Sequence, residues 1–224
     1  MQRLAFFILF LVSSSTLTAT AGLIDDYYLG FSYSYTKYEN DYSENGPNIV
    51  SNFAVHPNIS IGAGLAYRNG KAKARTLIYE GEQITDQFDF DIWLGNLGIL
   101  LHNKFETSDS LAISPFFELG IAAQSIDIKG LVIDSFKTTP VEVNWDQFLY
   151  RLSLGTQFLI NDFFVLTPTL AFVDYIDDDG ARVSSSFGWS LAGVFLFTEH
   201  FSSGLTLGGG DGFTGISLGT AIHF

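Results

Sequence analysis

The chain has 224 residues, with 24 acidic side chains against 11 basic ones for a formal charge of −13, and no cysteine. That balance excludes a nucleic-acid interface, which needs a basic patch, and the missing cysteine excludes disulfides and thiolate metal sites. Apolar residues make up 47% and aromatics 16%, yet past residue 21 no apolar run reaches the ~20 residues of a membrane-spanning helix.

Residues 1–21 read as a secretory signal peptide. Arg3 supplies the positive start, 4–12 is an apolar stretch too short to span a bilayer, and Ala19-Thr20-Ala21 is a small-residue cleavage site. A single domain, 22–224, follows. Along it, period-two alternation bounded by turn residues marks the strands. The first, about 27–38, sets Leu29, Phe31, Tyr33 and Tyr35 against Gly30, Ser32, Ser34 and Thr36. A polar connection, 39–48, leads to a short second strand, 49–55, and a turn at His56-Pro57-Asn58. The third sets Ile59, Ile61, Ala63, Leu65 and Tyr67 against Ser60, Gly62, Gly64, Ala66 and Arg68. A second polar connection spans 69–87, of which 76–79 could extend a strand.

In the fourth strand, 88–101, Phe88, Phe90, Ile92 and Leu94 share a face, and Leu97, Ile99 and Leu101 take the opposite phase. A bulge at Gly95-Asn96 is the expected cause. Residues 102–110 connect to the fifth strand, 111–126, and 127–144 is a third polar connection. The sixth strand carries Phe148, Tyr150, Leu152, Leu154 and Phe158 on one face. Asn161-Asp162 turns into the seventh, with Phe164, Leu166, Pro168, Leu170 and Phe172. An acidic turn, 177–181, leads to the eighth, with Phe187, Trp189, Leu191, Phe195 and Phe197. The ninth, 201–208, meets the tenth across Gly209-Gly210-Asp211-Gly212, which is hairpin chemistry.

Ten strands is an even number, which puts both termini on one side. Dropping one hairpin gives eight, the alternative count. The small polar face carries few charges, so it suits a cramped interior rather than a solvated exterior. The bulky apolar face is therefore expected to meet lipid. Unpaired backbone is too costly in hydrocarbon, so the sheet must close. The expected fold is all-β: a closed antiparallel transmembrane up-and-down barrel.

Charges within strands then point inward. Glu118 and Arg151 fall on neighbouring strands at similar heights and are expected to pair. Arg68 is expected to meet Asp89 or Asp91. Such pairs satisfy buried charge in a filled lumen. Tyr27, Tyr28, Tyr38, Trp145 and Tyr175 near strand ends, and Phe163, Phe197, Phe201 and Phe224 near the inner ends, are expected to form two aromatic girdles.

The last strand sets Phe224, Ile222, Thr220, Leu218, Ile216 and Thr214 on one face against His223, Ala221, Gly219, Ser217 and Gly215. It resembles the closing strand of bacterial outer-membrane β-barrel proteins, whose final Phe is part of the signal read by the barrel-assembly machinery. By pattern the whole domain resembles the small outer-membrane barrels, including the outer-membrane protein A and W families. The resemblance implies outer-membrane lipid and lipopolysaccharide as surroundings and the assembly machinery as a partner during insertion. It names no substrate and leaves the oligomeric state open.

Barrel enzymes of the outer leaflet rely on a His near the outer rim. His56, His102, His200 and His223 all map to the inner end, so no catalytic residue is assigned. Asp177-Asp178-Asp179 lacks the spacing of a calcium loop, so no metal site or cofactor is assigned. The reading is a non-enzymatic barrel with a structural or surface-interaction role, the alternative being a narrow channel for small solutes or apolar molecules.

Overall fold

The computed structural model describes residues 26–39, 42–79, 82–133, 138–177 and 182–224; the stretch read above as a signal peptide, 1–21, lies outside them. The strands are β1 Tyr28–Tyr38, β2 Tyr42–His56, β3 Ile59–Tyr79, β4 Glu82–His102, β5 Phe105–Ser108, β6 Leu111–Ile133, β7 Thr138–Ile160, β8 Phe164–Asp177, β9 Arg182–Thr198, β10 Phe201–Gly210 and β11 Phe213–His223. Ten of them form a closed antiparallel barrel in which each pairs with the next. β4 pairs with β6 from Thr85↔Ile133 to His102↔Phe116, and β1 closes on β11 from Tyr28↔His223 to Tyr38↔Phe213. The short β5 is a side strand against the start of β6. Asn161 and Asp162 both have positive φ, 50° and 58°, as a two-residue type I′ hairpin requires.

The strand count agrees with the sequence reading, but three connections do not. Residues 42–48 belong to β2, 69–79 and 82–87 to β3 and β4, and 127–133 and 138–144 to β6 and β7. Strands β3, β4, β6 and β7 reach 21 to 23 residues, about twice the 9–11 that a tilted strand needs to cross the bilayer core. Four tall strands therefore stand above the membrane on one side of the barrel, while β1, β10 and β11, at 10 or 11 residues, barely clear it.

The tall strands look polar in sequence because their pattern inverts. In the band near the termini, Leu97, Ile99, Leu119, Ile121, Leu152, Leu154 and Leu218 point outward and are exposed. Higher up, Phe88, Phe90, Ile92, Leu94, Ile126 and Ile128 point inward and are buried, while Asp89, Asp91, Asp127 and Lys129 take the outer face. The bulge expected at Gly95-Asn96 is absent: β4 runs in unbroken register past both residues, on β3 and on β6. The environment changes rather than the backbone. Below, the exterior is hydrocarbon; above, it is water, and apolar side chains gain by turning inside.

Tyr33, Tyr35, Tyr67, Trp93, Tyr150 and Trp189 mark the upper boundary on the outer face. The girdle expected of Tyr28, Tyr38, Trp145 and Tyr175 is not formed: the three tyrosines are buried in the interior and Trp145 packs on the inner cluster. Phe163, Phe197, Phe201 and Phe224 are exposed at the lower end.

Candidate functional site

The interior has three levels. At the lower end, where both termini lie, His223 at the end of β11 sits between two partners. Asp26 Oδ2 is 2.7 Å from its Nδ1, and Ser202 Oγ on β10 is 2.8 Å from its Nε2. Asn52 on β2 donates to the Asp26 carbonyl at 2.8 Å, and the Phe224 amide donates to the Tyr27 carbonyl at 3.0 Å. A second pair, Ser60 and His102, meets at 3.0 Å across β3 and β4.

Carboxylate, imidazole and hydroxyl in this order are the parts of a charge-relay nucleophile. A nucleophile also needs room beside it for a reacting carbon. Ser202 is fully buried at 0% exposure, so the arrangement serves as a clasp. It ties the segment before β1 to β10 and β11, where the barrel closes. His56 and His200 are exposed at the same end.

The middle level holds a cavity of about 100 Å³ whose walls include Asn96, Leu100, Phe116, Glu118, Arg151 and Thr169. Its lining is mixed, and the polar groups of Asn96, Glu118, Arg151 and Thr169 together with its size suit a few waters. Arg151 Nη2 lies 3.4 Å from Glu118 Oε2, both side chains being about a fifth exposed, at 19% and 18%. Arg151 Nε also donates to Ser153 Oγ at 2.8 Å. The register explains the meeting: Gly120 faces Arg151 and Glu118 faces Ser153, so acid and base are diagonal neighbours on the inner face.

Arg68 does not meet Asp89 or Asp91. In register Arg68 lies opposite Ile92, and Ile92 is inward, so the odd-numbered aspartates on β4 point out. Asp91 instead accepts from Tyr67 Oη at 2.5 Å and Asn69 Nδ2 at 2.9 Å on the outer face. Arg68 is buried and donates to Asn48 Oδ1 at 2.5 Å and to the carbonyls of Tyr67, Pro47 and Gly46 at 2.9, 3.3 and 3.4 Å. Glu44, fully buried on β2, acts on it as the opposing charge.

A polar zipper continues from Asn48 to Ser32 and Ser34, both at 2.9 Å, and from Ser34 to Ser217 at 3.0 Å. Gln124 donates to Gln147 at 2.7 Å on the far wall.

The upper level is an apolar plug. Tyr38, Tyr42, Phe88, Phe90, Ile126, Ile128, Val173, Tyr175 and Phe213 form one buried cluster. The Tyr38 and Tyr42 rings are 4.8 Å apart, Phe90 meets Tyr42 edge-on at 5.2 Å, and Phe213 lies tilted against Tyr38 at 6.1 Å. These rings come from β4, β2, β1 and β11 on one half of the barrel, and the same cluster takes in Ile126 and Ile128 of β6, Leu149 of β7, and Val173 and Tyr175 of β8, so the plug draws on both halves.

Phe224, Ile222, Thr220 and Leu218 lie on the outer face of β11, between β1 and β10. Among the described residues no cluster of three or more His, Asp or Glu is arranged to hold a metal ion. Asp178 and Asp179 lie outside them. Sequence reasoning missed the Asp26–His223–Ser202 clasp. Its members are up to 197 positions apart, and only the closing register brings them together.

No protein-family model and no curated protein sequence matches the chain. Among solved structures the fold is similar to the outer membrane protease OmpT from Escherichia coli, at 12% identity over 95% of this chain and 100% of that one, with a TM-score of 0.49. It is similar to the transport unit of the autotransporter AIDA-I from Escherichia coli, at 8% identity over 97% and 96%, TM-score 0.45. It is also similar to Ail, the attachment invasion locus protein of Yersinia pestis, at 12% identity over 89% and 97%, TM-score 0.35. The chain's own strand pairing makes it a closed ten-stranded antiparallel barrel with an apolar outer band, the build of an outer-membrane β-barrel.

Proposed function

We propose that this is a non-enzymatic barrel of the bacterial outer membrane, closed to solutes, whose role is structural or surface interaction through the half that stands above the bilayer. One observation carries the reading: the apolar plug of Tyr38, Tyr42, Phe90, Tyr175 and Phe213 fills the lumen above the small polar cavity. An aqueous path would have to pass through packed aromatic rings. The tall β3, β4, β6 and β7, with Asp89, Asp91, Asp127, Asp146 and Glu142 on their outer faces, supply a polar platform in the lipopolysaccharide layer and beyond it. Outer-membrane lipid surrounds the band below. The outward face of β11, ending at Phe224, is the segment we assign to recognition by the barrel-assembly machinery.

The alternative, a narrow channel, draws support from the cavity at Glu118 and Arg151, and it requires the plug to move. Planar-bilayer recording of the refolded protein separates the two. The closed barrel gives no steady single-channel steps, and reproducible steps would overturn it.

A further inference from the structure

We propose that the upper part of β7, residues 138–144, is an open docking edge for an extended polypeptide segment that alternates apolar and basic side chains. This deepens the surface-interaction reading and rests on it. On one side, β7 pairs with β6 up to Ile133↔Thr138. On the other, its pairing with β8 starts only at Gln147↔Asp177, and β9 joins β8 at Ile176↔Arg182. Among the described residues, then, 138–144 pairs with β6 along one edge and has no strand partner along the other. An unpaired strand edge is a template for another strand.

Which groups face that edge follows from two prolines. Pro140 lies in the ladder opposite Leu131. It has no N–H, so its position must be one that turns away from β6. Alternate residues of a strand turn the same way, so the N–H and C=O groups of Glu142 and Asn144 also face the open edge, and those of Val141 and Val143 bond β6. Pro115 gives an independent check. Its carbonyl accepts from the Asn103 amide at 3.3 Å, away from β7. Its partner Thr156 must therefore face β8, and the β6–β7 register is unbroken from there to the top. Thr156, Asn144, Glu142 and Pro140 share one parity.

The side chains define the partner. On the inner face Val141, Val143 and Trp145 pack on the plug yet stay partly exposed, leaving apolar surface for a neighbouring strand to cover. On the outer face Glu142 and Asp146 are exposed. Glu142 is shared with Lys129 at 3.7 Å, a solvated pair that leaves it available. A second copy is a poor partner: antiparallel self-pairing about Asn144 sets Glu142 against Asp146, and like charges directly opposite destabilise. A strand with valine-like residues inward and lysines outward meets both faces.

The test uses the full refolded protein in micelles and a synthetic peptide of alternating Lys and Val. Residue-resolved amide exchange should be fast at Glu142 and Asn144 and slow at Val141 and Val143, and the peptide should slow Glu142 and Asn144. Glu142→Pro removes the outward donor without touching the β6 ladder, so it should fold and bind the peptide at least tenfold more weakly. A Glu/Val peptide of equal length should also bind at least tenfold more weakly. Protected Glu142 and Asn144 amides in the free protein, undiminished binding by Glu142→Pro, equal binding of the acidic peptide, or no binding of the basic one would each overturn the proposal. The first and last of these leave the closed lumen intact, since that is judged separately by conductance.

Discussion

Replacing Arg151 with Leu leaves Glu118 facing a cavity of about 100 Å³ without its cation. Breaking a buried pair by removing one member typically costs about 3–5 kcal/mol, because the remaining charge stays desolvated. Here both side chains are about a fifth exposed, at 19% and 18%, and a few waters can reach the carboxylate, so the lower part of that range applies. Losing the 2.8 Å bond from Arg151 to Ser153 adds about 1 kcal/mol. The expected total is roughly 3–4 kcal/mol. Urea unfolding in lipid vesicles, followed by tryptophan fluorescence, measures it. The double variant Glu118→Leu with Arg151→Met removes both charges and should recover most of the loss. A single variant within about 0.5 kcal/mol of the parent would refute the reasoning, as would a double variant no better than the single one.

Truncating the plug should be costly. Phe90→Ala deletes a buried ring in contact with Tyr42 and should destabilise by about 3–5 kcal/mol in the same assay. His223→Ala removes both contacts of the clasp and should cost about 2 kcal/mol, and Ser202→Ala about 1 kcal/mol. If Ser202→Ala instead abolished labelling by a serine-reactive phosphonate, the structural role assigned to Ser202 would be wrong. Gly46→Ala would drive a Cβ into the Tyr67 carbonyl, beside Arg68, whereas Gly95→Ala meets only the tip of Leu65 at 3.5 Å. The first should fail to refold to a protease-resistant barrel and the second should match the parent.

Much of the barrel was legible in the sequence because lipid-facing and lumen-facing residues alternate cleanly in β1, β8, β9 and β11. The apposition of Glu118 and Arg151 was legible too, since it follows from parity on two strands whose pattern is unambiguous. The upper half was misread for one physical reason. The sequence reading took apolar side chains to point outward at every height. Phe88 to Leu94 then required a bulge to reconcile them with Leu97 to Leu101, and that bulge turned Asp89 and Asp91 inward towards Arg68. With lipid below and water above, no bulge is needed, and both aspartates return to the outer face. The same assumption hid the upper parts of β2, β3 and β7, whose outward residues are polar, and of β6, where Asp127 and Lys129 precede the exposed Leu131 and Ile133. The clasp of Asp26, Ser202 and His223 depends on closure between the chain's two ends, which no local pattern encodes.

The inversion of β4 is the claim on which the closed lumen, the plug and the projecting platform all rest, and the absence of native cysteine makes it directly measurable. Single cysteines placed from residue 88 to residue 101 would each carry a fluorophore in the refolded, vesicle-inserted protein, with quenchers dissolved in lipid or in water. Labels at 97, 99 and 101 should respond to the lipid-phase quencher, labels at 89 and 91 to the aqueous one, and the positions of Phe88, Phe90, Ile92 and Leu94 to neither. Lipid-phase quenching at 88, 90 and 92, with 89 and 91 shielded, would contradict the account.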